Sequence, residues 1–183
     1  MCLPKGLLQA TLVDIWLQDC PKLKTPNPDA LRSLTSSKEL RITSCPNWGS
    51  CWEEGLFCTT SLQILDIGEF GEDYRHFPWP FTSAASQPWS HFTSLEYLTL
   101  WGWPKVKSLP DQLVHLPALR YLIILGFSGL ESLPECLGKL SSLQSLLILR
   151  CPLLEKRCEK GIGEDWHKIA CIPSIEIGGR TIV

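Results

Sequence analysis

The sequence lacks any apolar run long enough to cross a membrane. Its longest runs, such as residues 121–125 and 146–149, are strand-sized, whereas a spanning helix needs about 20 residues. It also lacks an excess of one charge, because 17 Lys and Arg against 19 Asp and Glu leave a formal net charge of −2. We therefore expect no membrane span and no nucleic-acid partner.

The signals of a secreted, disulfide-bonded protein are missing as well. The nine cysteines are odd in number, no Cys-x-x-Cys pair occurs, and neither Asn27 nor Asn47 begins a glycosylation sequon. Polar residues interrupt the N-terminal apolar stretch too early for a secretory signal. Cys20, Cys45 and Cys151 precede proline at one place in a recurring pattern, which indicates a structural role. We expect free thiols and a cytoplasmic protein that reaches the nucleus or a membrane only through partners.

What the sequence does contain is a repeated phrase, Leu-x-x-Leu-x-Leu-x-x-Cys/Gly-x-x-Leu, in a composition that is 44% hydrophobic and 20% charged. Its central apolar residue occurs at Ile15, Leu40, Leu65, Leu98, Leu122 and Leu146. Subtracting successive numbers gives separations of 25, 25, 33, 24 and 24 residues. Period-two alternation within each phrase predicts a short parallel strand with one side in the core. A period of this size predicts an α/β solenoid, the leucine-rich-repeat horseshoe, with its strands on the concave face.

The return segments between strands are equally regular. Two stretches, 107–119 and 131–143, match position for position. Their shared apolar positions are Leu109, Leu113 and Leu116, then Leu133, Leu137 and Leu140. Because Pro110 and Pro134 disfavour helix before them, we expect irregular, 3-10 or short helical segments on the convex side.

The one long interval carries an insertion near residues 68–94. Its aromatic residues are Tyr74, Phe77, Trp79, Phe81 and Trp89. They could form a recognition loop or pack against the adjoining repeat, and the second interpretation is the simpler one. A shorter segment of the same kind runs over 46–58, with Trp48 and Trp52.

The C-terminal end has the pattern of a cap that follows an array of about six repeats over 1–155. Within 156–183, Glu164 and Asp165 suit a helix N-terminus, and residues 172–173 end that helix before a last strand over 174–177. The predicted helix face consists of Trp166, Ile169 and Ala170. Such a cap covers apolar residues that the final repeat would otherwise expose. The first strand, around 14–17, has no equivalent, so we expect the isolated chain to be poorly soluble.

The tail also carries a family resemblance. Leu-Leu-Glu-Lys-Arg-Cys at 153–158, Gly-Glu-Asp-Trp-His-Lys-Ile-Ala-Cys-Ile-Pro at 163–173 and Ser-Ile-Glu-Ile at 174–177 form its most specific part. They closely resemble the C-terminal end of plant intracellular nucleotide-binding leucine-rich-repeat disease-resistance proteins of the coiled-coil class. The Cys-Pro-x-Leu turns, degenerate at Cys45, and the Leu-Pro-x-x-Leu stretches are similar to the same family.

This resemblance implies a recognition module that binds a pathogen effector or a guarded host protein. It also implies that the module folds back on a nucleotide-binding module and holds it inactive. The phosphate-binding motif of that module, Gly-x-x-x-x-Gly-Lys-Ser/Thr, is absent here, so we expect no cofactor and interpret the chain as a truncated product or fragment. The alternative is a free-standing leucine-rich-repeat scaffold or decoy without a nucleotide switch.

Catalysis and metal binding find little support. His167 and Cys171 stand four residues apart, but no orienting acid or oxyanion site accompanies them, and we expect Cys171 to pack into the cap. The histidines show no metal-ligand spacing. We expect no enzyme and no metal site.

The candidate binding residues are those that project away from the core on the last three repeat strands. They are Tyr97, Thr99, Trp101, Tyr121, Ile123, Leu125, Ser145, Leu147 and Leu149. This stripe is unusually apolar for outward positions, which is typical of an interface. Either a protein partner covers it, or another domain of the same receptor or the insertion loop covers it intramolecularly.

Overall fold

The computed structural model describes residues 13–24, 35–48, 60–69 and 92–183. The insertion aromatics from Tyr74 to Trp89, together with Trp52, lie outside these ranges. Their role as a recognition loop or as packing residues therefore stays a prediction.

The described residues form one open sheet of eight strands, ordered as they occur in the chain. The strands are β1 (Asp14–Gln18), β2 (Glu39–Thr43), β3 (Ile64–Gly68), β4 (Tyr97–Trp101), β5 (Tyr121–Leu125), β6 (Ser145–Leu149), β7 (Ser174–Ile177) and β8 (Arg180–Thr181). Neighbours are parallel from β1 to β7, and β8 pairs antiparallel with β7. The strands predicted from the repeated phrase and the last strand predicted in the cap are confirmed.

The register explains why the same apolar positions recur. Leu40, Leu65, Leu98, Leu122 and Leu146 stand side by side in one row across the sheet, and each is at most 1% exposed. A second row two residues later runs through isoleucine and leucine side chains that are equally buried. No single unit could cover both sides of its leucines, so each strand completes the core of the one before it.

The return segments contain two short 3-10 helices, Asp111–His115 and Glu135–Lys139. Each begins directly after the proline of its repeat, Pro110 or Pro134, which confirms the predicted 3-10 geometry. The shared leucines of both segments are buried as predicted. Two α-helices follow β6, α1 (Pro152–Arg157) and α2 (Trp166–Ile169). Among the described helices none is long and apolar enough to cross a membrane.

A tight turn follows the repeat strands, and where its second residue is described, that side chain lies in the core or packs against it. The backbone is left-handed directly after five of the six repeat strands, at Asp19, Ser44, Glu69, Gly126 and Arg150, with φ between 51° and 71°. The residue after Glu69 lies outside the described ranges. The next position is held by Cys20, Cys45, Phe127 and Cys151, and by Trp103 after β4. The Trp103 and Phe127 rings meet edge to face, with 5.9 Å between centroids.

At the Cys-Pro turns the thiol occupies this position and satisfies a backbone carbonyl. Cys45 Sγ donates to Thr43 O at 3.3 Å, and Cys151 Sγ donates to Leu149 O at 3.4 Å. Burial raises the pKa of both thiols, which keeps them protonated and unreactive. The six cysteines within the described ranges are free. The burial and hydrogen bonds of Cys45 and Cys151 agree with the predicted structural role of these turns.

The cap differs from prediction in two side chains, Ala170 and Cys171. Its helix α2 covers only four residues, one turn, so the face expected to bury Trp166, Ile169 and Ala170 does not form as a whole. Ile169 is buried and Trp166 is half-buried against the core, as predicted, but Ala170 and Cys171 are exposed. The prediction that Ala170 and Cys171 pack into the cap is therefore wrong, because both residues follow the end of that single turn.

Asp165 lies at the N-terminus of α2, as predicted, but its side chain makes no capping hydrogen bond. Its carboxylate, only 1% exposed, instead accepts a hydrogen bond from Leu133 N–H at 2.8 Å and pairs with Arg157 and Lys168, each at 3.0 Å. Burial alone would raise the pKa of Asp165, yet these donors and cations lower it. Lys168 in turn donates to Leu133 O at 2.8 Å, so the pair fastens α2 to the preceding repeat.

Candidate protein-binding surface

The sheet has one side in the core and one side facing away from it. Side chains on the second side alternate with the buried leucines, and we call this side the outward face. On β4 to β6 it carries the predicted residues in three rows. The rows are Tyr97, Tyr121 and Ser145; Thr99, Ile123 and Leu147; and Trp101, Leu125 and Leu149.

The structure thus brings all nine candidate residues onto one contiguous patch, the apolar half of the outward face. Tyr97 is 39% exposed, and the other eight are half-buried by their neighbours. Strands lie about 4.8 Å apart, so side chains in one row touch across the sheet. The result is a continuous apolar surface and not a set of isolated residues.

Two stacked tyrosines lie on this half. The Tyr97 and Tyr121 rings stack with 4.3 Å between centroids and 7° between planes. Partial desolvation and a hydrogen bond with the Tyr121 hydroxyl raise the pKa of Tyr97, so this phenol is neutral at physiological pH. The stacked pair presents a large rigid aromatic surface, which is a typical interface anchor.

A hollow of about 210 Å³ opens beside the tyrosines, toward β7. It arises because the row that begins with Tyr97 and Tyr121 continues with two small residues, Ser145 and Ser174. The lining also includes Ile123, Leu147 and Glu176. The hollow therefore combines aromatic, aliphatic and acidic surfaces in one place.

A charged cluster that the sequence patterns did not predict lies on the other half of the outward face, on β1 to β3. The Arg41 guanidinium pairs with Glu39, and its Nη1 lies 3.4 Å from Asp66 Oδ2. It also lies 5.1 Å from the centroid of the Trp16 ring. One signal in the sequence could have revealed it: Arg41 and Asp66 hold the same position in consecutive repeats and carry opposite charges.

Asp66 connects the charged cluster to the apolar half. Trp101 Nε1–H donates a hydrogen bond to the Asp66 carboxylate, which fixes the indole on the outward face. Gly68 permits this approach, because a Cβ at that position would overlap the backbone of Trp101. Burial raises the pKa of Asp66, although the Trp101 hydrogen bond and Arg41 oppose the shift.

The residues considered for catalysis have separate partners. His167 Nε2 lies 3.6 Å from Glu135 Oε2, while Cys171 Sγ lies 3.8 Å from Gly138 O. Within the described ranges, no three His, Cys, Asp or Glu side chains converge as a metal site would require.

Comparison with known proteins gives short matches of high identity. No protein-family model matches the chain. It is 70% identical over 27 residues to putative disease resistance protein RGA4 of Solanum bulbocastanum, and 64% identical over 28 residues to putative disease resistance protein RGA1 of the same plant. It is 73% identical over 26 residues to disease resistance protein RGA2, also from that plant. These segments cover 14–15% of this chain and 3% of each relative's length.

Proposed function

We propose that this chain is the leucine-rich-repeat recognition module of a plant disease-resistance protein of the coiled-coil class. In this proposal residues 1–155 form the solenoid and 156–183 its cap, and the protein acts in the cytoplasm without catalysis. The apolar half of the outward face contacts a pathogen effector or a guarded host protein. The same surface also contacts the nucleotide-binding module of its receptor family and restrains it.

The observation that carries the proposal is the apolar character of residues that the fold does not need for its core. The buried rows of the sheet are complete without Tyr121, Ile123 or Leu147. Side chains of this kind on an outward surface lower the free energy when another protein removes them from water, by about 25 cal/mol per Å² of apolar area. A surface that is apolar and dispensable for the core is suited to binding.

The short matches supply the biological context. Each of the three relatives is named as a disease resistance protein, and the identity within the matched segments is 64–73%. The Cys-Pro turns and the eight-stranded, mostly parallel sheet agree with the repeat architecture that the family resemblance implies.

The proposal is tested by co-expressing the chain with a nucleotide-binding module of the same receptor family. We expect the two to co-purify, and we expect Trp101→Ala and Tyr121→Ala to weaken association and to alter cell-death signalling. Leu153→Ala is the matched control, since Leu153 is also apolar and 45% exposed but lies on α1. If the module does not associate and neither outward substitution changes signalling, the chain acts as a free-standing scaffold or decoy and the proposal is wrong.

A further inference from the structure

The hollow beside the stacked tyrosines has a defined chemical character. One wall is the Tyr97–Tyr121 pair, the floor is Ile123 and Leu147, and the far rim carries Glu176. Ser145 beside Tyr121 and Ser174 at the start of β7 leave the space unfilled. An aromatic wall, an aliphatic floor and a carboxylate are the three surfaces that an arginine side chain contacts favourably.

Glu176 has no cationic partner among the described residues. It lies on β7, its side chain is exposed, and no ion pair joins it to any described Lys or Arg. Arg180, four residues later, lines a different hollow together with Glu155 and Lys160. No cation of the described residues therefore occupies the carboxylate at the rim.

On the other half of the same face, an aromatic ring and two carboxylates bind an arginine side chain. There the Arg41 guanidinium lies over the Trp16 ring and pairs with the carboxylates of Glu39 and Asp66. Arg41 and Ile123 occupy equivalent positions of their repeats, because both are the central residue of their strand. In the later repeats the aromatic rings and the carboxylate are present, but the guanidinium is not supplied by the described chain.

We propose that the hollow between Tyr121 and Glu176 binds an arginine side chain of the protein partner. This inference rests on the proposed function, because it names the chemistry of one contact on the same surface. The aliphatic stem lies on Ile123 and Leu147, while the planar guanidinium stacks on the tyrosine pair and pairs with Glu176. Lysine fits less well, since its compact ammonium is more strongly hydrated and cannot stack.

The test is a titration of the isotope-labelled full chain with N-acetylarginine methylamide, followed by backbone NMR shifts. N-acetylcitrulline methylamide is the matched probe, because it has nearly the same shape and no charge. We expect saturable shifts around residues 145–147 and 174–176, with binding of the citrulline probe about ten-fold weaker. Equal binding of both probes, shifts elsewhere, or no saturable shift would overturn the proposal.

Two variants assign the effect to the hollow. We expect Glu176→Gln to remove the preference for arginine over citrulline, and Tyr121→Leu to weaken arginine binding. Glu159→Gln is the control, because Glu159 is exposed and lines the other hollow. An arginine preference that persists in Glu176→Gln contradicts the inference.

The two proposals fail in different ways. If Tyr121→Ala abolishes association with the nucleotide-binding module while the arginine probe does not bind the hollow, the proposed function stands and the arginine site is wrong. If the probe binds as expected but neither Trp101→Ala nor Tyr121→Ala changes association or signalling, the hollow is real and the proposed function is wrong.

Discussion

The two halves of the outward face share one strand register but differ in whether their side chains form ion pairs with one another. On β1 to β3 the charged residues pair with one another, as Arg41 does with Glu39 and Asp66. On β4 to β6 the face is mostly apolar, and its neighbour on β7, Glu176, pairs with no described cation. The rows of buried leucine and isoleucine side chains therefore specify the fold, and the residues of the outward face can differ from one repeat to the next.

The largest loss of folding stability should come from substitutions in the row of buried leucines, which lies beneath both halves of the outward face. Leu40→Ala and Leu122→Ala each remove a buried side chain from the same inner row and leave a cavity, so each should lower the free energy of unfolding by about 2–5 kcal/mol. Urea denaturation measures the change. Ile123→Ala, one residue along β5 on the outward face, should cost less than about 1 kcal/mol. Equal losses at Leu122 and Ile123 would contradict the assignment of the two sides.

A smaller loss of folding stability should distinguish the charged cluster from the apolar half. Asp66→Ala leaves Trp101 Nε1–H without its acceptor and Arg41 with one carboxylate fewer, so it should lower the free energy of unfolding by about 1–3 kcal/mol. The same measurement on Glu176→Ala should give a change within about 0.5 kcal/mol, since that carboxylate is exposed and pairs with no described cation. A larger loss at Glu176 than at Asp66 would reverse the comparison.

The smallest expected change is the pH dependence of the free energy of unfolding that arises from the titration of Asp66. Because burial raises its pKa above 3.8, the folded protein holds this proton more tightly than the unfolded chain does. The stability that this proton contributes is complete below the unfolded-state pKa and is lost as pH rises through the folded-state value. The free energy of unfolding of the wild type, relative to Asp66→Asn, should therefore fall across that acidic window and then become constant. A rise with pH would mean that Arg41 and Trp101 outweigh burial.

The repeat strands were predictable because alternation and period are local properties that the sequence shows directly. Ile15 and Leu122 could be placed from their spacing alone, and the 3-10 segments from Pro110 and Pro134. Each rests on interactions within one repeat or between equivalent positions of neighbouring repeats. The nine candidate outward residues follow from the same alternation, so their placement on one patch required no further information.

The polar contacts were not predictable, because they join residues far apart in the chain. The Asp66–Trp101 hydrogen bond joins residues 35 positions apart, on either side of the insertion. Because of the length of the insertion, the register between β3 and β4 does not follow from the repeat period. Asp165 is at the N-terminus of α2 as its sequence predicts, but it contacts Leu133 only because α2 packs on the preceding repeat. The exposure of Cys171 likewise depends on α2 ending after one turn.

The most direct test of the account is the association of Ile123→Glu with the nucleotide-binding module, measured beside its free energy of unfolding. Ile123 is at the centre of the apolar half and outside the buried rows, so a carboxylate there should keep the free energy of unfolding within about 1 kcal/mol of the wild type. Association should weaken at least ten-fold, since the charge would be desolvated at the interface, a cost of about 1.4 kcal/mol or more. A stable Ile123→Glu variant that associates as tightly as the wild type would contradict the claim that this face binds protein.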